Sequence, residues 1–330
     1  MVKNTFHSWI MVMAVASACS AVLLPQLARA ADEPTGPVRI VNPYPGGVVD
    51  VAARALAEQL AQRWKVPVVV EPRPGANEML AADAVAKAPK DGRTLFIGTE
   101  ASFANNLYLY SKLAYEPDVD LVPVTELFEV RLGLIVRGDL PVHTLKEFVE
   151  RMKREGSAHT YASSGPGGPL HLAMEQFRRT AGFEMTHVPY KTIAQMMQDL
   201  MGGRIDASFL GVASSAPFLA NGRLRLLAVS GATRAREAPD VPTFAELGYP
   251  AADYRTSIGL AVTGGTPAAK LKQLDADVKA VLESPAFIER VMVPNGLEPV
   301  ASGPESFARS IAARRAQAQR LIRALDIRMN

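Results

Sequence analysis

Cysteine is almost missing: Cys19 is the only one in 330 residues. It lies in the apolar N-terminal segment, so the rest of the chain has no disulfide, no thiolate nucleophile and no cysteine metal site. Histidine is scarce as well. Past residue 30 there are only His143, His159, His171 and His187, and no two are spaced as a helical metal pair, so each reads as a structural or surface residue. No G-x-S-x-G elbow, no G-x-x-x-x-G-K-[ST] loop and no G-x-G-x-x-G fingerprint occurs, which removes the commonest marks of a nucleophile or a nucleotide site.

Excess charge of either sign is lacking too. Lys3 and Arg29 are the only charged residues in the first thirty, so without that segment the formal charge falls from +3 to 3 − 2 = +1. The basic balance therefore gives no argument for nucleic acid or a membrane surface as partner. Arg314, Arg315, Arg320 and Arg323 sit on one amphipathic stretch with no aromatic residues between them, unlike a single-strand binding surface. Asp118 with Asp120, and Asp275 with Asp277, have spacing two; on a helix they would not face one another, and a solvated polar face is expected.

Long hydrophobic runs are limited to one. Lys3, the apolar stretch from Trp9 to Leu24 and Ala28-Arg29-Ala30 follow the charged, apolar and small-residue order of a secretory signal peptide. Residues 1 to 30 are expected to be that signal, with cleavage after Ala30 and the mature chain in the periplasm. Sixteen apolar residues ending at Pro25 are short for a span, which needs about 20. Lipid attachment at Cys19 is the alternative, disfavoured by alanine where such motifs carry leucine.

What the chain does contain is alternation. Val38 to Val41, Val66 to Val70, Thr94 to Ile97, Leu132 to Val136, Thr160 to Ala162, Met185 to Val188, Ala207 to Phe209, Leu226 to Val229 and Ser257 to Val262 are short β-branched or apolar runs. Helical patterns lie between most of them, such as Ala53, Leu56, Leu60 and Trp64 at steps of three or four. The expectation is an α/β protein of mostly parallel sheets flanked by helices. The length suits two domains, and no long Pro/Ser/Gly linker separates them. Lobe one is expected over 37–130 and again over 255–330, and lobe two over 131–254.

Two glycine-rich turns stand out. Tyr44, Pro45, Gly46, Gly47, Val48, Val49 and Asp50 join the first strand to a helix. Ser163, Ser164, Gly165, Pro166, Gly167 and Gly168 do the same about 115 residues later. Each puts backbone N–H groups at a helix start, where an anion is favoured, although Gly, Pro and Asp are also ordinary turn and cap residues. Together they point to one turn per lobe, facing across a cleft and holding a small anionic ligand. Asp50 reads equally as a helix N-cap with Arg54 as partner. A secreted α/β enzyme using Asp50 or His171 as acid or base is the competing class.

The chain resembles the Bug solute receptors, the extracytoplasmic binding components of tripartite tricarboxylate transporters. The resemblance rests on Val41 to Asp50, Glu71-Pro72-Arg73-Pro74-Gly75-Ala76, Asp91-Gly92-Arg93-Thr94-Leu95 with Gly98-Thr99, and Tyr161-Ala162-Ser163-Ser164-Gly165 with His171-Leu172. It continues in His187-Val188-Pro189-Tyr190-Lys191, Asp199-Leu200, Gly202-Gly203, Asp240-Val241-Pro242-Thr243, Glu246 and Gly265-Thr266-Pro267. It implies a two-lobed receptor of the type II periplasmic binding-protein class, with a central cleft that closes on a small carboxylate. It also implies that the two turns grip the ligand through backbone amides and ordered water, with Gly98, Thr99 and the loop at Leu210 lining the cleft. A di- or tricarboxylate or an aromatic acid is the implied ligand. The implied partner is a transporter membrane subunit, or alternatively a membrane signalling protein. No metal, cofactor or nucleic acid is implied, and the receptor is expected to act as a monomer.

Departures from the family pattern bear on the ligand. Val49 replaces a hydroxyl residue, Gly168 a threonine, and Asn77 and Glu78 the paired glycines after Gly75-Ala76. Phe209-Leu210-Gly211 lacks an acidic residue, which favours a ligand without an amine. Glu100 would argue the other way if it faced the cleft.

Overall fold

The computed structural model describes residues 34–329. The expected signal peptide, its cleavage point and Cys19 lie outside the described residues. Among the described residues no helix is long and apolar enough to cross a membrane.

Among the described residues eleven strands form two sheets. The first has the order β11-β4-β10-β3-β1-β2 and the second β7-β6-β8-β5-β9. The first contains β1 (Val38–Asn42), β2 (Val68–Pro72), β3 (Thr94–Gly98), β4 (Leu121–Val130), β10 (Thr256–Thr263) and β11 (Leu297–Pro299). The second contains β5 (Leu132–Arg137), β6 (Thr160–Ser163), β7 (Thr186–Pro189), β8 (Ala207–Gly211) and β9 (Leu224–Val229). The main helices are α1 (Val48–Trp64), α2 (Met79–Ala86), α3 (Leu145–Glu155), α4 (Pro169–Ala181), α5 (Ile193–Met201), α6 (Val212–Ala220), α7 (Ala268–Leu282) and α8 (Pro304–Leu325).

The α/β, two-lobed class is as expected, but the sheets are mixed rather than mostly parallel. Four strand pairs are parallel and five antiparallel. The cause is the path of the chain. It passes from one sheet to the other between β4 and β5 and returns between β9 and β10. A strand arriving from the other sheet runs opposite to those whose C-terminal ends face the junction, so β5 opposes β8 and β9, and β10 opposes β3 and β4. The two passages are tied together: Leu132 N donates to Ser230 Oγ at 3.0 Å, Ser230 N to Leu132 O at 2.8 Å, and Arg131 Nη1 to Ser230 O at 3.1 Å.

Helix α1 shows how the pattern becomes a packed element. Ala53, Leu56, Leu60 and Trp64 are buried along one face, and each large side chain removed from water contributes about 2 kcal/mol. Trp64 Nε1 also donates to Asp277 Oδ2 at 2.7 Å on α7. Asp277 is 1% exposed and also takes the Arg63 guanidinium, so it does not lie on a solvated face as its spacing implied. Arg314 is likewise drawn inward. It is largely buried and reaches Glu126 at 3.1 Å and Glu129 at 3.3 Å on β4. Against the second sheet, Phe177 of α4 meets Phe183 and Phe244 at 5.2 Å between centroids, forming an aromatic core with Phe209 of β8.

Candidate functional site

In parallel α/β sheets ligands gather outside the C-terminal strand ends, where neighbouring connections diverge. Here α1 leads from β1 to β2 on one side, while β3 pairs on the other side of β1. The crevice between the ends of β1 and β3 is lined by Tyr44 and Thr99. From the second sheet the end of β6 carries Ser163 to Gly168. The two sets of loops meet: Asn105 Nδ2 donates to Gly167 O at 3.5 Å. A Cβ on Gly167 would lie 2.3 Å from Leu109 Cδ1, and Gly167 has φ +72°, so only glycine allows this approach.

In the first turn Asp50 is buried, not a free carboxylate. It accepts from Asn42 Nδ2 at 2.8 Å, Arg54 Nε at 2.9 Å and Gly46 N at 3.3 Å. The helix N-cap is Gly47, so Asp50 fills the third helical position and does not cap. Val51 N is the first amide to bond back into the helix, to Gly47 O. The amides of Val48, Val49 and Asp50 therefore precede the helical ladder, with the positive end of the dipole behind them. Pro45, Gly46 and Gly47 are exposed, whereas the Val49 side chain packs in the core.

The second turn differs. Gly165 N donates to Ser163 Oγ at 3.1 Å, Gly167 N to His171 Nδ1 at 2.9 Å and Gly168 N to Gly165 O at 3.3 Å. Three of its amides are thus committed to the turn itself. Ser163 is buried, with its hydroxyl 2.7 Å from His187 Nε2, while Ser164 is exposed. Beneath lies a stack: His171 and His187 rings are 4.1 Å apart, and Tyr161 is 4.9 Å from His187. Burial, then the neighbouring His187, pushes the His171 pKa down to about 4. Its Nδ1 accepts an amide proton, so the ring is held neutral as a prop for the turn. Asp50 and His171 are each occupied within their own turns, and no acid–base pair forms between them.

Gly98 is packed: a Cβ there would lie 2.3 Å from the Phe96 ring. Leu210 is a buried residue of β8 opposite Gly133, with its side chain in the core. Glu100 is 4% exposed; its Oε2 accepts from Ser257 N at 3.3 Å, and its Oε1 has no hydrogen-bond partner. It borders a cavity of about 310 Å³ that also meets Asn105, Leu172, Tyr254 and Arg314. Burial, partly offset by Arg314, raises its pKa to about 7.

The residue that sequence reasoning did not place in the site is Glu78. Ala76, Asn77 and Glu78 have φ of +48°, +50° and +72°, a left-handed run of non-glycine residues where the resembling pattern has glycines at the last two positions. Such backbone costs about 1–2 kcal/mol per residue. It carries the Glu78 carboxylate, 3% exposed, into the crevice between β1 and β3. There Oε1 accepts from the hydroxyls of Tyr44 and Thr99, and Oε2 from Thr99 N at 3.0 Å and Ser102 Oγ at 2.5 Å. Burial raises the carboxyl pKa, opposed by these hydrogen bonds. Burial, then the charge of Glu78, drives the Tyr44 phenol well above its usual range. The available signal was a glutamate in place of a glycine within a turn. Among the described residues no group of acidic, histidine or cysteine side chains could hold a metal ion.

Comparison with known proteins accords with this geometry. The family described as "Tripartite tricarboxylate transporter family receptor" matches residues 49–327. BugT of Bordetella pertussis is 32% identical over 276 residues, 82% of this chain and 84% of that protein. Among solved structures, the periplasmic binding protein BugD shares 28% identity with a TM-score of 0.82, over 90% of this chain and all of its own (100%). A protein of R. palustris with adipate shares 32% identity with a TM-score of 0.83, over 88% of this chain and 97% of its own. MatC from Rhodopseudomonas palustris with bound malate shares 27% identity with a TM-score of 0.80, over 88% of this chain and 99% of its own. These relatives are solute-binding receptors and not enzymes, and this chain belongs with them to the tripartite tricarboxylate transporter receptor family, the Bug group of periplasmic solute-binding proteins.

Proposed function

We propose that this protein captures a small organic carboxylate between its lobes in the periplasm and presents it to the membrane subunits of a tripartite tricarboxylate-type transporter. The carrying observation is that strand-end loops of the two lobes meet, Asn105 in the segment after β3 donating to Gly167 O in the second turn. The exposed turn from Pro45 to Gly47 and the α1 amides that follow it supply the main anion site. The second-lobe turn, with its amides tied down, supplies a shaped wall and the Ser164 hydroxyl. The lobes hinge at Arg131 and the return passage 230–255. Export follows from the N-terminal segment, and the secreted chain begins at Ala31.

A thermal-shift titration with aliphatic and aromatic mono-, di- and tricarboxylates tests the reading. Ligand at 100 times Kd adds about 2.7 kcal/mol of stability, and the gain must grow with concentration. Folded protein that shows no shift with any acid refutes it.

A further inference from the structure

We propose that Glu78 is a tethered carboxylate that occupies a second set of donors, at the ends of β1 and β3, and so restricts the receptor to ligands carrying a single carboxylate. The inference rests on the receptor reading above and narrows its substrate class.

In α/β sheets ligands gather at the C-terminal strand ends, and at the ends of β1 and β3 stand four donors, three of them on the buried Thr99 and Ser102. Those donors are the Tyr44 hydroxyl, the Thr99 hydroxyl and amide, and the Ser102 hydroxyl, and all four go to Glu78. Each carboxylate oxygen accepts two hydrogen bonds, so neither has room for a ligand ammonium. A carboxylate held by four donors and by no cation is an arrangement that otherwise describes a bound anion. The chain reaches it through left-handed backbone at Asn77 and Glu78, which a solvent-facing glutamate would not require.

Placement ties this group to the ligand cleft. Tyr44 N donates to Asn42 Oδ1 at 3.0 Å, and the same Asn42 donates to Asp50 Oδ1, so Glu78 and the first turn share one network. On the other side Asn77 donates to Asn106 Oδ1 at 2.8 Å, next to the Asn105 that meets Gly167. A ligand carboxylate gripped at the start of α1 leaves its far end near Glu78. A second carboxylate there would find the donors taken and a like charge in place.

The test pairs acids of one carbon skeleton, hexanoate against adipate and benzoate against terephthalate, by calorimetry on the full mature chain. The wild type is expected to favour the monocarboxylate of each pair by at least about tenfold, the cost of one lost charge-assisted hydrogen-bond set. Glu78→Gly suits the left-handed backbone and frees the donors. It should move the preference toward the dicarboxylate by at least about tenfold, and acetate, which then has the freed donors as well, should raise its Tm further than it raises that of the wild type. A wild type that binds adipate and terephthalate as tightly as their partners overturns the inference and leaves the receptor function standing, and needs no variant. An unchanged preference in folded Glu78→Gly overturns it too. Absence of binding to any acid in either protein overturns the receptor reading and this inference with it.

Discussion

Glu100→Gln should stabilise the protein in alkaline buffer and do so much less in acid. Glu100 is 4% exposed, and burial raises its pKa from 4.5 to about 7 against the pull of Arg314. A carboxyl with a raised folded-state pKa holds its proton in the native chain after the unfolded chain has released it. Stability from this group therefore falls as pH rises from about 4.5 to about 7 and is flat above. A shift of about 2.5 units corresponds to about 3 kcal/mol at 1.36 kcal/mol per unit. With an unfolding entropy of about 2.1 cal/mol/K per residue over about 300 residues, that is about 5 °C in Tm. The facing groups are Arg314, itself shared with Glu126 and Glu129, together with Tyr254 and Glu78. The amide of glutamine can keep the bond from Ser257 N, so the variant removes the charge and little else. The assay is the Tm difference between variant and wild type at pH 8 minus the same difference at pH 5. Because about a quarter of the loss has already occurred by pH 5, a positive value of about 4 °C is expected. A difference independent of pH, or one that is larger in acid, refutes the reasoning.

His171 titrates in the opposite sense. Its pKa is lowered to about 4, so the protein loses stability as pH falls from about 6.5 toward about 4, and its imidazole should stay neutral by NMR at pH 5.5. Gly167→Ala puts a Cβ against Leu109 across the lobe junction and adds left-handed strain. Weaker ligand binding and a larger radius of gyration by X-ray scattering are expected, whereas Gly222→Ala, equally left-handed at φ +73° but with nothing within 4 Å of its Cβ, should bind as the wild type does. Equal binding by both alanine variants would remove the role assigned to the close approach at Gly167.

Most strands were legible because β-branched runs such as Val38 to Val41 end at turn residues. β4 was not, since Pro123, Glu126 and Glu129 break its apolar pattern. The structure accommodates them by a register shift opposite Leu260 and Ala261, near Pro123, and by Arg314 reaching both glutamates from α8. Asp277 was misread for the same reason: its partners Arg63 and Trp64 lie 214 and 213 residues away, and spacing along one helix cannot reveal them. The turns at Tyr44 and Ser163 were visible as glycine clusters. Which of their amides are free was not, because that depends on Asp50, His171 and Ser163 folding back onto them.

Local chemistry in the sequence was enough to determine the alternation of helix and strand, the two glycine turns, the lack of cysteine beyond Cys19, and the family pattern. These depend on residues close together in the chain, where periodicity and backbone freedom act directly. Strand direction was decided only by tertiary structure, because it depends on which lobe a strand arrives from. The same holds for Glu78. Its replacement of a glycine shows in the sequence, but its carboxylate acquires meaning only where the ends of β1 and β3, more than fifty residues apart, bring Tyr44, Thr99 and Ser102 around it.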